Sequence, residues 1–292
     1  MIYFLSKYHN FLRKNVKETM KLNNILLLIG LTAGIIIFVI WQNNHIVTTY
    51  IPYINPGLPG PFDGYKIIHI SDLHNKSFGK GQNYILSKIK KTSPDIIFIT
   101  GDLIDRRKYD LETAMVFIKG AMEIAPVYYV PGNHEAWSGK YNIIQQELID
   151  AGVEVLEDSL VKLNKGGQAI DILGILDPGF YHNNTLPYNH IEGADSSRFQ
   201  ILLSHRPELF DLYAREKIDL IFAGHVHGGQ IRLPFIGGIV APDQGLIPKY
   251  TSGSYRMGDS NLIVSRGLGN SLFPIRVFNR PEIIVVRLSK EG

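Results

Sequence analysis

Residues 66–74 read KIIHISDLH. Three of the first five are isoleucines, the β-branched composition of a buried strand. The run then gives way at once to Ser71-Asp72-Leu73-His74, an acid and an imidazole two residues apart. The same grammar recurs four times. Residues 95–100 run into Gly101-Asp102 and then Asp105, and 127–130 run into Gly132-Asn133-His134-Glu135. Residues 200–204 run into His205, and 220–223 run into Gly224-His225-Val226-His227. In open α/β sheets, sites assemble outside the carboxyl ends of the strands, so these five loops are expected to converge.

Working outward, helical periodicity falls between the early strands, at 81–91, 111–122 and around 141–151. Strand–helix alternation predicts parallel strands covered on both faces. The later half reads mostly as strands, at 153–156, 160–163, 169–175, 262–265 and 283–288. One short helix near 207–214 has Pro207 at its start, where the missing N–H costs nothing. Two facing sheets with helices outside, an α/β arrangement, fit this layout.

The 292 residues are 45% hydrophobic and 20% charged, enough for a sizeable core. Cysteine is absent, which excludes disulfides, thiolate ligands and a cysteine nucleophile. The net charge of +3 is uneven. Lys7, Arg13, Lys14, Lys17 and Lys21 precede residue 22 with one acid, Glu18, leaving 25 basic against 26 acidic side chains for the rest. That remainder carries no basic nucleic-acid-binding footprint.

Phosphate esters resist hydrolysis because water is a weak nucleophile and the transition state is crowded with charge. Two cations about 3.5–4 Å apart address both problems, and they need several hard or borderline ligands with one bridging carboxylate. Asp, His and Asn at the five strand ends are of that type, and they suit Mn, Fe or Zn. Gly101, Gly132 and Gly224 are expected to let the backbone turn tightly before each ligand. Singly each motif is weak; jointly they place five of the ten histidines after apolar strands in one order.

On these motifs (Asp-x-His, Gly-Asp, Gly-Asn-His-Glu, His, Gly-His-x-His) the sequence resembles the calcineurin-like metallophosphoesterase superfamily over about 65–290. The stretches 203–207 (LSHRP), 223–234 (AGHVHGGQIRLP), 265–269 (SRGLG) and 274–276 (PIR) look like its bacterial membrane-associated phosphodiesterase branch. The resemblance implies a four-layer αββα sandwich of two mixed sheets. It further implies that Asp72, His74 and His227 bind one divalent metal and Asn133, His205 and His225 a second, with Asp102 bridging. His134 is then the general acid, Asp105 its orienting partner and Glu135 a group supporting the ligands. Arg106 or Arg107 is a candidate phosphate clamp. The implied reaction is hydrolysis of a phosphate ester, a diester for this branch, by a metal-bridging water. Mn2+ is the expected cofactor, with Zn2+ or Fe2+ as alternatives. A pyrophosphate hydrolase of UDP-2,3-diacylglucosamine type and a phosphomonoesterase are competing activities. A binding protein on the same fold predicts gaps in the ligand set, and there are none. His69 reads as a packed core histidine, His45 as a linker residue, and His182 and His190 as a polar loop.

Residues 22–41 contain no charge, and the apolar core 25–41 rises roughly 25 Å as a helix. Trp41 closes it, as interfacial indoles do. A retained anchor is expected, because no Ala-x-Ala-like cleavage site follows, as one would after a signal peptide. The expected organisation is a basic cytoplasmic tail (1–21), a transmembrane anchor (22–41), a semi-extended Pro/Gly-rich linker (42–64) and a catalytic domain (65–290). Positive charge before the anchor places the N-terminus in the cytoplasm and the catalytic domain outside a bacterial cell membrane. The expected partners are that membrane and a phosphate-ester substrate, an envelope lipid or polymer being candidates; no protein partner is expected.

Overall fold

The computed structural model describes residues 1–181, 194–195, 197–270 and 274–291. His182 and His190 lie outside them. The chain forms two units, Met1–Gln42 and Asn43–Gly292. The first is made of helix α1 (Ile2–Asn44) up to Gln42, exposed along its apolar stretch and long and apolar enough to cross a membrane. The basic segment continues this helix without a break at residue 21.

In the second unit, the first half runs β1 (Val47–Ile54), β2 (Lys66–Ile70), α2 (Asn83–Thr92), β3 (Ile96–Thr100), α3 (Leu111–Met122), β4 (Val127–Val130), α4 (Asn133–Trp137), α5 (Tyr141–Asp150) and β5 (Glu154–Val155). The second half runs β6 (Ser159–Lys165), β7 (Gln168–Gly174), β8 (Gln200–Leu203), α6 (Phe210–Arg215) and β9 (Leu220–Ala223). Two small hairpins follow, β10 (Arg232–Leu233) with β11 (Gly237–Gly238) and β12 (Val240–Ala241) with β13 (Gly245–Leu246). The chain closes with β14 (Gly253–Met257), β15 (Ser260–Val264) and β16 (Glu282–Ser289).

Two six-stranded mixed sheets result, in the orders β1-β16-β2-β3-β4-β5 and β14-β15-β9-β8-β7-β6. Strands β2, β3, β4 and β5 are mutually parallel, as are β7, β8, β9 and β15. Period-two alternation sorts the apolar side chains into layers. Ile67, Ile96 and Phe98 face Ile172, Ile201, Leu203 and Phe222 in a core between the sheets. Ile68, Ile70, Ile97, Ile99 and Val127 face Ile85, Phe117, Ile118 and Leu148 of α2, α3 and α5. Leu202, Ile221 and Leu262 face Phe210 and Tyr213 of α6. The architecture is the expected αββα sandwich. Asp110 starts α3 by accepting from the Thr113 N–H at 3.1 Å, a side-chain cap on an otherwise orphaned donor.

The segment expected to be a spacer is different. Residues 47–54 pair in parallel with β16 in unbroken register from Val47↔Glu282 to Ile54↔Ser289, as an edge strand. Pro52 concealed it, since proline argues against a central strand; at an edge its missing N–H removes no ladder bond on the open side. The neighbouring Tyr53 side chain is buried in the inter-sheet core.

His69 is fully buried between the sheets, its Nε2 2.8 Å from Thr100 Oγ1 and its ring edge-on to Phe222. Burial pushes its pKa down to about 3, so the folded protein holds the ring neutral. The unfolded chain takes up a proton that the folded one refuses, so this contribution is complete above about pH 6.5 and lost as the pH falls below it. Between pH 8 and 5 the expected loss is about 2 kcal/mol. Urea midpoints at the two pH values should therefore differ less in His69→Gln than in the parent; equal differences would refute the assignment.

Candidate metal centre

The five loops leave the carboxyl ends of β2, β3, β4, β8 and β9. Their turns are tight. Asp72, His74, Asp102, His225 and His227 all have φ between 47° and 69°, a left-handed conformation costing about 1–3 kcal/mol where no glycine relieves it. Cross-loop bonds hold them there: the Asp72 N–H donates to Gly101 O and the His74 N–H to Asp102 O, each at 3.0 Å. Of the glycines read as turn-formers, Gly101 has φ +79°, but Gly224 serves close approach instead, because a Cβ there would stand 1.7 Å from Ser71 Oγ.

The side chains converge in two groups that share Asp102. In the first, His227 Nε2 lies 3.1 Å from His74 Nε2 and 3.5 Å from Asp72 Oδ1, and His74 Nε2 lies 3.5 Å from Asp102 Oδ2. In the second, His205 Nε2 lies 3.3 Å from Asp102 Oδ2, 3.1 Å from Asn133 Oδ1 and 3.2 Å from His225 Nδ1. All seven residues are buried.

This donor set fits divalent cations. Burial keeps His74 and His227 neutral, the first pushed down to about 3 and the second well below its ordinary value. Their Nδ1 atoms are buried without a hydrogen-bond partner among the described residues, while their Nε2 atoms face each other beside two carboxylates. Burial pushes the Asp72 carboxyl up to about 6, the response of an acid whose negative charge wants compensation. Burial would raise Asp102 as well, but His205 and His74 hold it well below the carboxylate range. His205 is opposed by burial yet carried up to about 10 by Asp102, so positive charge is favoured beside that carboxylate. Its Nδ1–H donates to Thr100 O at 2.7 Å, which leaves Nε2 free to ligate.

Glu135 sits behind the ligands, fully buried. Its carboxylate accepts from the Asp102 and Gly132 N–H groups at 2.8 Å and from Ile104 N–H at 3.0 Å, tying two ligand loops together. His134 packs edge-on to His74 with ring centroids 4.5 Å apart. Its N–H donates to Asp102 Oδ1 at 2.8 Å, and its Nδ1 lies 3.4 Å from Asp105 Oδ1. The Arg106 N–H also lies 3.2 Å from that Nδ1. Burial lowers the His134 pKa while Asp102 and Asp105 oppose the shift. The two arginines, either one a candidate phosphate clamp, are placed differently from each other. Arg107 grips Asp105 through Nε at 3.0 Å and Nη2 at 2.8 Å, and the Arg106 guanidinium lies over the Trp137 ring, 4.8 Å from its centroid.

Two supports were not singled out from sequence. Arg206 is buried and pairs with Asp177 and Asp243, with its Nη1 2.9 Å from His225 Nε2. Asp243 Oδ2 also lies 2.9 Å from that Nε2, which orients His225 with Nδ1 toward His205. Arg276 is fully buried; its Nη1 donates to Arg266 O at 2.8 Å and its Nε to Asn270 Oδ1 at 2.8 Å. It thereby props the loop whose Leu268 N–H donates to Ser71 O beside Asp72. The only sequence signal for either arginine was its place in a stretch already resembling a family pattern.

The family model for calcineurin-like phosphoesterases matches residues 65–229. The metallophosphoesterase YkuE of Bacillus subtilis is 30% identical over 237 residues, covering 79% of this chain and 81% of YkuE. The phosphodiesterase YaeI of Escherichia coli is 26% identical over 233 residues, covering 77% and 82%. A transmembrane protein with a metallophosphoesterase domain from Danio rerio is 24% identical over 247 residues, covering 80% of this chain and 55% of the relative. With strand-end side chains converging in groups that could hold a metal ion and more than half its length matched, the chain belongs to the calcineurin-like phosphoesterases, metal-dependent hydrolases of phosphoric esters.

Proposed function

We propose that this protein is a phosphodiesterase working with two divalent cations, Mn2+ foremost, on the outer side of a bacterial membrane to which residues 22–41 anchor it. The observation that carries the dinuclear reading is the sharing of Asp102 between two convergent donor groups. Asp72, His74 and His227 would hold one cation, Asn133, His205 and His225 the other, and Asp102 both. Bound there, the cations supply Lewis acidity to the phosphoryl oxygens and lower the pKa of water.

The chain's own residues do the rest. In the overall step, a P–O bond to water oxygen forms, the P–O bond to the leaving alcohol breaks, and the leaving alkoxide needs one proton. Protonated His134 supplies it from Nε2–H and returns to neutral imidazole, and Asp105 beside Nδ1 favours the charged ring before the transfer. Asp105 positions that ring and Arg107 positions Asp105. Arg106 is available at the exposed rim to meet phosphate oxygens if it leaves Trp137. Diester preference is supported by the likeness to YaeI, and the anchored topology by α1 and the charge before it.

The test uses the full chain in detergent with bis-p-nitrophenyl phosphate and p-nitrophenyl phosphate, with Mn, Zn and Mg added in turn. Faster hydrolysis of the diester with at least one metal is expected; no hydrolysis of either ester under any metal would falsify the reading. His134→Gln should lower kcat about 10²–10⁴-fold while KM changes little. A loss confined to KM would instead make His134 a binding residue.

A further inference from the structure

Residues 231–247 form a ribbon on which exposed apolar side chains are concentrated. Leu233, Phe235, Ile236, Val240, Leu246 and Ile247 are all exposed, Phe235 completely and Leu246 and Ile247 at 77% and 75%. Elsewhere in the second unit large exposed apolar residues are more scattered, which is ordinary for a surface. Six such residues within fifteen positions form the kind of patch that marks an interaction site.

The ribbon is held rigidly at two points. Its strands are joined by the two hairpin ladders and by bonds from Ile239 N–H to Ile231 O at 3.0 Å and from Ile247 N–H to Ile239 O at 2.9 Å. At one turn, Asp243 reaches back to His225 and Arg206 of the metal centre. At its base, Ile231 bridges Val277 and the Arg232 N–H donates to Val277 O at 3.0 Å. The adjoining Arg276 N–H donates to Asn43 Oδ1 at 3.0 Å, and Asn270 Nδ2 donates to the same oxygen at 3.0 Å. Asn43 stands two residues after Trp41, so no more than about 7 Å of chain separates them. The apolar ribbon, the metal centre and the point of tethering are therefore linked through consecutive contacts.

We infer that the 231–247 ribbon dips into the acyl region of the bilayer and that the enzyme cleaves phosphate esters of lipid headgroups presented at that surface. A lipid phase is the occupant favoured over a second copy of the chain, because an apolar helix long enough to span it ends within two residues of Asn43. Interfacial apolar surface of this kind is what a bilayer rewards. The inference deepens the phosphodiesterase reading and rests on it for the chemistry, with water as co-reactant and headgroup alcohol as leaving group; the docking itself does not.

The chain has no cysteine, so single labels can be placed at will. Full-length Phe235→Cys, Ile247→Cys and, as a control at the β14–β15 turn, Asp259→Cys would carry nitroxide labels in vesicles of phosphatidylethanolamine and phosphatidylglycerol. Labels at 235 and 247 are expected to collide preferentially with dissolved oxygen and the label at 259 with an aqueous nickel chelate. Equal nickel access at all three positions would overturn the docking, as would dipolar broadening that reports a second copy at the ribbon. In the second arm, the double variant Phe235→Asp/Ile247→Asp should hydrolyse bis-p-nitrophenyl phosphate within about twofold of the parent while headgroup release from the vesicles falls at least about tenfold. Parallel loss of both activities would make the ribbon structural only, and a parent active on the soluble diester but not on vesicle lipid would overturn the substrate class. Immersed labels on a protein that cleaves no ester would leave the docking standing and sink the phosphodiesterase reading alone.

Discussion

Asp102→Asn is expected to reduce kcat/KM at least about 10³-fold, roughly 4 kcal/mol of transition-state stabilisation. Among the described residues, Asp102 is the one shared by both donor groups, its Oδ2 3.5 Å from His74 Nε2 and 3.3 Å from His205 Nε2. An amide preserves the volume, and its oxygen can still accept the His134 N–H that Asp102 Oδ1 accepts now. What it removes is the negative charge between the groups. Folding should consequently be retained, judged by circular dichroism, while bound metal measured by equilibrium dialysis falls below two per chain. A variant that keeps activity within about tenfold, or that binds two metals as the parent does, would remove Asp102 from the bridging position.

Glu135→Ala is expected to cause the largest loss of stability, about 3–9 kcal/mol, from three buried N–H groups left without an acceptor at about 1–3 kcal/mol each. The domain's whole stability is of order 5–15 kcal/mol, so the variant should be close to unfolding. Glu135→Gln separates this account from simple packing. The Asp102 and Gly132 N–H groups converge on Oε2, which an amide oxygen can replace, while Ile104 N–H would face an amide nitrogen in place of Oε1. Gln should accordingly fall between the parent and Ala in urea midpoint. If Gln and Ala are alike, or if both match the parent, the clamp does not hold the Asp102 and Gly132 loops in register.

Much of the candidate site was legible before any fold was in view. Asp72, Asp102, Asn133, His205 and His225 each follow an apolar run, and a strand's end is a local property that composition reveals. The grouping of His227 with Asp72 and of His225 with His205 was not legible that way. Those two histidines are two residues apart, and only the left-handed turns at both send them to different groups. The β1 strand was missed for a related reason: Pro52 and the glycines around 57–64 describe a linker until β16 supplies a parallel partner more than two hundred residues later.

By itself, the sequence determined where the strands end, which side chains stand there, that thiolate chemistry is excluded, and that one N-terminal segment is apolar enough to span a membrane. These depend on periodicity and composition within a few residues. The tertiary structure alone decided what holds the candidate ligands in place: Glu135 across two loops, Arg206 between Asp177 and Asp243, and Arg276 under the Asp72 loop. It also decided that the 231–247 ribbon joins the metal centre at one turn and bares its apolar side chains along the rest. Such supports are made between residues distant in sequence, and a buried ion pair or a carboxylate accepting backbone N–H groups leaves no periodic trace in either partner's neighbourhood.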